Sequence, residues 1–263
     1  EPELLVASVP VVKDSVPTLI FASGEKMDMT EYAVNKKVID VVHVAARATD
    51  ETSSVLNVYK VPRMFTSRLA LPDSTIVYLN SDSELSFPSR FSDSVRAVSV
   101  RGEAYFEVTK DTEKPFIVEA NGMEVKVYGT RFNVNTRRND QIQTTLVEGS
   151  VSVKPKGLAE VMLKPNQQAV FNKLVGRVTV RDVDVLSYVA WQRGNYYFEN
   201  KSIGEILDEL SLWYDIQVFF VNNEVRNERF SGYLPRYEEI NGLLSLIEKT
   251  SHVQFEIKGR VII

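Results

Sequence analysis

The sequence predicts a mainly β protein that ends in a small α+β module with two helices. Residues 18–181 form a series of short segments in which apolar and polar residues alternate, with turn residues between the segments. Alternation with a period of two is typical of strands that bury one face. After about residue 182 the apolar spacing changes to that of amphipathic helices. The first part is expected to be all-β, either a β-sandwich or a short β-helix-like stack.

The longest alternating segment is AVSVRGEAYFEV, residues 97–108. Its even-numbered positions are apolar or glycine, so they are predicted to face the core. Its odd-numbered positions, which include Glu103 and Tyr105, are predicted to face water. For the glycine inside this segment, Gly102, we expect a bulge or tight packing rather than a ligand site.

The next segment, residues 116–127, contains the strongest two-residue hairpin signal in the chain. Asn121-Gly122 suits a turn in which both central residues need a positive φ angle. A hairpin centred on this turn places six apolar residues on one face: Phe116, Val118, Ala120, Met123, Val125 and Val127. Further strands are predicted at residues 75–79, 130–135, 144–153, 168–171 and 176–180, and no helix is predicted in this region.

The C-terminal part contains two predicted helices. The first follows Ser202, which forms a capping box with Glu205 three residues later. The second is predicted at about residues 237–249. Their apolar stripes are related by an offset of 37 residues, which favours two similar helix–strand halves: Ile203, Ile206, Leu207 and Leu210 in the first, and Ile240, Leu243, Leu244 and Ile247 in the second. Strands are expected at residues 216–221 and 229–234, with a terminal hairpin around Lys258-Gly259.

These patterns divide the chain into three expected parts. Residues 1–17 contain three prolines and little periodicity, so we expect a leader. Residues 18–187 form the β domain, and residues 188–263 form the C-terminal module.

The composition excludes several classes of function. The chain has 263 residues with no Cys and two His, which excludes disulfides, thiol nucleophiles and thiolate metal sites. Lys and Arg number 31 against 35 Asp and Glu, a formal charge of −4, so nucleic acid meets no net positive charge. The sequence has no phosphate loop, no nucleophile elbow and no histidine pair at metal-ligand spacing.

Two glutamates are the best candidates for acid–base chemistry. Glu119 and Glu124 are predicted to face each other across the hairpin, with Cβ atoms about 5 Å apart. They lie beside a turn on the water-facing side, without a partner for proton transfer, so a solvated surface is the favoured interpretation. We therefore predict a protein that is not an enzyme, with no catalytic residue, no cofactor and no metal.

One strand of the C-terminal module is apolar on both faces. Residues 218–221 read Val-Phe-Phe-Val, whereas helices in a module of this size commonly cover one face of a sheet. Either the second helix and the terminal hairpin bury the other face, or that face meets a partner by strand addition. The candidate partner-binding residues are Gln217, Phe219, Val221, Phe230 and Tyr233.

Several segments resemble the FecR-type family of anti-sigma regulators, in the form common in Bacteroidetes. The resemblance is carried by LPDSTIVYLNSDSELSFPSRF (71–91), GEAYFEV (102–108), GTRFNV (129–134), TTLVEGSVSV (144–153), LKPNQQ (163–168) and WQRG…F (191–198). The chain departs from the family at three positions: Ser74 and Asn166 stand where glycine is usual, and Tyr78 stands where tryptophan is common.

The resemblance implies a membrane-tethered regulator. Such proteins have a short cytoplasmic segment that holds an extracytoplasmic-function sigma factor, one transmembrane helix, and a periplasmic sensor region. This chain looks like the periplasmic region alone, tethered to the inner membrane by a helix absent here, with residues 1–17 following that anchor.

The resemblance also implies partners. The C-terminal module looks like the short signalling domain found at the N-terminus of secretins and TonB-dependent transducers. In the family, an outer-membrane transducer passes a signal through its own signalling domain, and site proteases then cleave the regulator and free the sigma factor.

Two other functions remain open. A carbohydrate-binding or adhesion domain is supported by the all-β pattern and by aromatic residues expected at the surface, such as Tyr105. An enzyme of unknown type would need carboxylates that converge in a pocket.

Overall fold

The computed structural model describes residues 16–41, 56–236 and 239–263. The predicted leader therefore lies outside the described residues, except for its last two positions. The fold is mainly β, with 44% of residues in strands and 17% in helices. This confirms the predicted fold class.

Two large sheets form the β domain. The first contains β1 (Thr18–Ile20), β2 (Lys26–Asp28), β4 (Asn57–Val61), β7 (Ser83–Phe87), β8 (Arg96–Arg101), β10 (Phe116–Ala120), β11 (Met123–Val127), β14 (Val151–Pro155) and β15 (Val161–Leu163). The second contains β3 (Val38–Asp40), β5 (Ser67–Ala70), β6 (Ile76–Leu79), β9 (Glu103–Glu107), β12 (Arg131–Asn135), β13 (Gln141–Glu148), β16 (Gln167–Asn172) and β17 (Arg177–Asp182).

The arrangement of these sheets corresponds to the sandwich alternative. Their strand orders are β15-β14-β11-β10-β8-β7-β4-β1-β2 and β17-β16-β13-β12-β9-β6-β5-β3. Apolar side chains from both sheets form a single buried cluster between them. Among the described strand pairs of these sheets, β8–β10 and β3–β5 are parallel and the others are antiparallel, whereas a β-helix stacks its strands in parallel.

The predicted Asn-Gly hairpin is confirmed in turn and register. Asn121 and Gly122 both have positive φ angles, 49° and 91°. Across β10 and β11, Phe116 pairs with Val127, Val118 with Val125 and Ala120 with Met123, and all six side chains are buried. Glu119 lies opposite Glu124, as predicted.

The predicted strand over residues 97–108 is in fact two strands in different sheets. At Gly102, where φ is +90°, the chain leaves β8 in the first sheet and enters β9 in the second. The even-numbered positions are buried, as predicted, but Glu103 and Tyr105 are only 7% and 4% exposed. The prediction that these two residues face water is wrong, because Arg137 covers the first and Trp191 covers the second.

The prediction that residues 18–181 contain no helix is also wrong. Residues Thr30–Val34 form helix α1, which has five residues. A single helical turn is too short to produce a recognisable periodic pattern. Its tertiary contacts hold it in place, since Met29 before the helix and Ala33 within it are both buried.

The C-terminal module contains two small sheets and two longer helices. Helix α2 (Leu186–Val189) crosses the predicted boundary between the two parts. The elements that follow it are a 3-10 helix (Ala190–Arg193), β18 (Asn195–Ser202), α3 (Ile203–Tyr214), β19 (Gln217–Val218), a 3-10 helix (Val225–Asn227), β20 (Arg229–Pro235), α4 (Ile240–Thr250), β21 (Ile257–Lys258) and β22 (Val261–Ile262). Strands β18 and β20 pair antiparallel, and the other three strands have the order β19-β22-β21.

The internal repeat holds for the helices and less well for the strands. All eight residues of the two predicted stripes are buried in one cluster. The predicted strand over residues 216–221 is reduced to β19, residues 253–255 form no strand, and the sequence did not predict β18. This core is separate from the sandwich core, and the boundary at residues 187 and 188 stays a prediction.

Replacing Ser202 by Ala is expected to lower the free energy of unfolding by about 1 kcal/mol. The Ser202 hydroxyl accepts a hydrogen bond from the Glu205 amide at 3.1 Å, and the Glu205 carboxylate accepts one from the Ser202 amide at 2.9 Å. Urea denaturation measures the change. Ser211→Ala is the control, because that hydroxyl bonds to Asp208 within the helix and caps nothing; an equal loss in both variants would contradict the capping role.

The same cap has a pH dependence. Hydrogen bonds from Ser202, the backbone amide first, hold the pKa of Glu205 below its usual value of 4.5. A carboxylate with a lowered folded pKa stabilises the fold above its unfolded pKa, and that contribution is lost as the pH falls through the folded pKa. Ser202→Ala keeps the backbone amide and removes only the hydroxyl, which donates to the Glu205 carboxylate at 3.0 Å. The part of the difference between wild type and Ser202→Ala that comes from this bond is therefore expected to disappear below pH 4.5.

Candidate functional site

Strand β19 lies at an edge of the three-stranded sheet of the C-terminal module. The Gln217 amide donates a hydrogen bond to the Arg260 carbonyl at 2.8 Å, and the Phe219 amide donates one to the Ile262 carbonyl at 2.8 Å. Both bonds point toward β22. Among the described residues no other strand pairs with β19, so its opposite edge has no strand partner, and an unpaired edge can accept a further strand.

The side chains of residues 218–221 alternate between two directions. Val218 and Phe220 pack against the core of the module. Phe219 and Val221 point outward, with 54% and 88% of their surface exposed. The second helix and the terminal hairpin therefore do not bury both faces of this segment, which leaves two adjacent outward positions with apolar side chains.

An apolar groove of about 340 Å³ runs beside this segment. Phe219 and Val221 line one part of the groove, and Val225, Val253 and Phe255 line other parts. We call the open edge of β19 together with this groove the β19 surface. Val225 and Phe255 were not among the predicted site residues, because their approach to β19 depends on tertiary packing. The apolar residues of the segment Val253-Gln254-Phe255-Glu256-Ile257 were the available signal for Phe255.

The other two predicted site residues lie on a different sheet. Phe230 and Tyr233 belong to β20, which pairs with β18. Phe230 is half-buried and packs edge-on against Phe198, with ring centroids 6.4 Å apart. Tyr233 is 57% exposed and lies 6.2 Å from the ring of Tyr197. The five predicted residues therefore form two groups, Gln217, Phe219 and Val221 on the β19 surface and the remaining two on β20.

An aromatic cluster joins α2 and the 3-10 helix that follows it to the outer face of the second sheet. Trp191 and Val189 pack on Tyr105, and Tyr78 and Tyr188 contribute to the same cluster. Burial raises the pKa of Tyr105 to about 12. The prediction that Tyr105 is a surface aromatic is therefore wrong, and of the two observations that favoured a carbohydrate-binding domain only the all-β pattern remains.

Hydrogen bonds within the hairpin and from the neighbouring strand explain the position of Glu119, one of the two glutamates considered for acid–base chemistry. Glu119 accepts hydrogen bonds from the Gly122 amide at 2.7 Å and from the Ser99 hydroxyl at 3.2 Å.

In the part of the chain that the structure describes, no group of three or more His, Cys, Asp or Glu side chains is arranged to hold a metal ion. Within the same ranges, no helix is long and apolar enough to cross a membrane.

Comparison with protein families gives two matches. Residues 59–152 match the family described as FecR protein, and residues 195–263 match the family described as FecR, C-terminal. Among proteins with curated descriptions, no sequence matches the chain.

Two solved structures are similar to this chain over most of its length. Both are crystal structures of a candidate anti-sigma factor from Parabacteroides distasonis ATCC 8503, at 1.65 Å and 2.50 Å resolution. Each is 26% identical in sequence, with TM-scores of 0.69 and 0.70. The similarity covers 78% and 79% of this chain, and 96% and 97% of those chains.

Proposed function

This chain belongs to the FecR-type family of anti-sigma factors, and from that premise we propose that it is the periplasmic sensor and relay region of a membrane-tethered regulator. In this proposal the signal comes from an outer-membrane TonB-dependent transducer. The sigma factor, of the extracytoplasmic-function class, is held by a cytoplasmic segment outside this chain. Site proteases cleave the regulator after the signal arrives, and the sigma factor is released.

The observation that carries the proposal is the β19 surface. An open strand edge can accept an extended segment from a partner, because backbone pairing supplies affinity and alternate side chains supply selectivity. Phe219 and Val221 are alternate, exposed and apolar, beside an apolar groove. Aromatic residues in such grooves commonly dominate the binding energy of an interface. We propose that this surface binds a strand of the transducer's signalling domain.

The proposal assigns different tasks to the two parts of the chain. The C-terminal module, residues 188–263, makes the contact with the transducer. The β domain, residues 18–187, transmits the contact toward the membrane anchor. The protein acts through contact alone, with no catalytic step of its own.

Replacing Phe219 by Asp in the full chain is expected to weaken binding to the transducer's signalling domain about 100-fold. The substitution removes an aromatic contact and places a charge in an apolar groove, which together amount to about 2–3 kcal/mol of binding free energy. Isothermal titration calorimetry measures the change, with the isolated signalling domain of the transducer as the ligand. In cells whose regulator carries the same substitution, a sigma-dependent reporter is expected to stay uninduced.

Tyr233→Asp is the matched control, because Tyr233 is an aromatic residue of nearly equal exposure, 57% against 54%, on the other sheet. Its affinity is expected to stay close to that of wild type. If Tyr233→Asp abolishes binding while Phe219→Asp does not, the partner binds the β18–β20 sheet and the assignment to β19 is wrong. If the full chain does not bind the signalling domain at all, the proposed function fails.

A further inference from the structure

A turn of the β domain caps the end of helix α3. The Met64 amide, in the turn between β4 and β5, donates a hydrogen bond to the Leu212 carbonyl at 3.4 Å. The last carbonyls of a helix have no partner within the helix, so they depend on groups of this kind. Met64 itself has a φ angle of +69°, so the turn adopts an uncommon backbone conformation at this contact.

The next contact lies three residues farther along the chain, at Asp215. One carboxylate oxygen of Asp215 lies 3.3 Å from Arg63 of the same β-domain turn, and the other lies 2.8 Å from Arg260 of the terminal hairpin. A negative charge at the C-terminal end of a helix is opposed by the helix dipole. Asp215 therefore depends on these two cations, and one of them comes from the β domain.

These contacts act on the residues that precede the β19 surface. Asp215 has a left-handed conformation with φ 51° and is separated from β19 by one residue. A movement of β19 is therefore expected to displace Asp215, since one residue separates them. Both contacts with the β domain are long for their kind, and the ion pair is partly exposed, with 47% of the Arg63 side chain and 29% of the Asp215 side chain accessible. Exposed ion pairs of this kind are weak.

A second connection between the two parts, among the residues that the structure describes, is of a different kind. Trp191 is 6% exposed and packs on Tyr105, which is 4% exposed. The burial of aromatic surface does not depend on the exact distance between two charges. It also contributes more stabilising free energy than an exposed ion pair. The module is thus held more firmly at Trp191 than at the end of α3 beside the β19 surface.

We propose that the turn at Arg63 and Met64 is a releasable clamp, and that docking of a strand on the β19 surface opens it, so that the C-terminal module pivots about Trp191. The docking trigger rests on the proposed function. The clamp itself rests on the contacts of Arg63, Met64, Leu212 and Asp215. Its opening converts a local binding event into a change in the relative position of the two parts.

Distance measurements between spin labels test the clamp. The chain has no native Cys, so cysteines introduced at Asp93 in the β domain and Lys249 in α4, both exposed, are the only thiols available for labelling. Without a partner, the wild-type background is expected to give one narrow distance distribution. Arg63→Glu, which places like charges together, is expected to give a broader and longer distribution. An unchanged distribution would overturn the clamp.

Lys60→Glu is the matched control. It reverses the charge in an ion pair of similar exposure, Lys60 with Glu84 at 3.2 Å and side chains 54% and 29% exposed, wholly within the β domain. Its distance distribution is expected to match that of wild type. Broadening in both variants would show a general effect of charge reversal and would overturn the clamp.

Affinity measurements test the coupling of the clamp to docking. When a partner binds only molecules in which a contact is open, the apparent affinity is reduced in proportion to the fraction of open molecules. Removal of that contact raises this fraction and therefore tightens the apparent affinity. Arg63→Glu is expected to bind the transducer's signalling domain about five-fold more tightly than wild type. Equal affinities overturn the coupling and leave the proposed function intact. No binding by either protein overturns the proposed function and the docking trigger, while the partner-free distances still decide whether the clamp exists.

Discussion

Replacing Glu103 by Ala is expected to lower the free energy of unfolding by about 3–5 kcal/mol. The Glu103 carboxylate accepts hydrogen bonds from Asn80 at 2.8 Å, Asn133 at 3.0 Å and Arg137 at 2.7 Å. The Glu103 and Arg137 side chains are 9% and 16% exposed. The substitution leaves the Arg137 charge buried without its counterion, which is the costly way to break a buried ion pair. Urea denaturation monitored by circular dichroism measures the loss.

Glu148→Ala provides a control with the same chemistry at the surface. Glu148 pairs with Arg131 at 2.6 Å, but these side chains are 69% and 54% exposed, so the expected loss is below about 1 kcal/mol. The double variant Glu103→Leu/Arg137→Leu removes both buried charges and is expected to recover part of the loss. Equal losses for Glu103→Ala and Glu148→Ala would show that burial of the first pair has no energetic consequence.

Replacing Gly102 by Ala is expected to lower the free energy of unfolding by about 4 kcal/mol. The φ angle of +90° is unfavourable for a residue with a Cβ atom. A Cβ atom at this position would also lie 2.6 Å from the Asp82 carbonyl oxygen and 2.7 Å from the Ser83 Cα atom. These neighbours are backbone atoms, so the strands must separate before the methyl group fits. Thermal or urea unfolding measures the loss.

Gly122→Ala separates the two causes. Gly122 has nearly the same φ angle, +91°, but a Cβ atom there would meet nothing within 4 Å. Its expected loss is about 1 kcal/mol, from the backbone conformation alone. The difference between the two variants therefore measures the close approach of the two backbones at Gly102. If the two losses are equal, contact with Asp82 and Ser83 does not matter.

Local rules predicted the parts of the fold that depend on neighbouring residues. The Asn121-Gly122 turn fixes the register of its own hairpin, and the apolar spacing in α3 and α4 fixes which face of each helix is buried. The two family departures from glycine, Ser74 and Asn166, still have positive φ angles of 66° and 67°. The turn geometry is therefore kept at these positions although the residue type has changed.

The errors arise where a distant residue determines the environment. Glu103 was predicted to face water because it alternates with residues that are apolar or glycine. In the structure it is covered by Arg137, which lies 34 positions farther along the chain. Trp191 covers Tyr105 in the same way. No pattern within a single strand contains this information.

The candidate site was predicted in part for the same reason. Strand parity indicated correctly that Phe219 and Val221 share an outward direction. It could not indicate that Phe230 and Tyr233 belong to another sheet, because sheet membership depends on pairing across the module. The groove and the turn that contacts α3 needed the three-dimensional arrangement.

The crossing of the chain at Gly102 has a consequence for cooperativity. Strand β8 pairs with β10 in the first sheet, but the chain reaches β10 only after it has formed β9 in the second. Neither sheet is built from one continuous stretch of the chain, so unfolding of one sheet is expected to disrupt the other. Pairings between strands distant in sequence also make folding slow. The sandwich is therefore expected to unfold as a single cooperative unit, with both sheets lost in one transition.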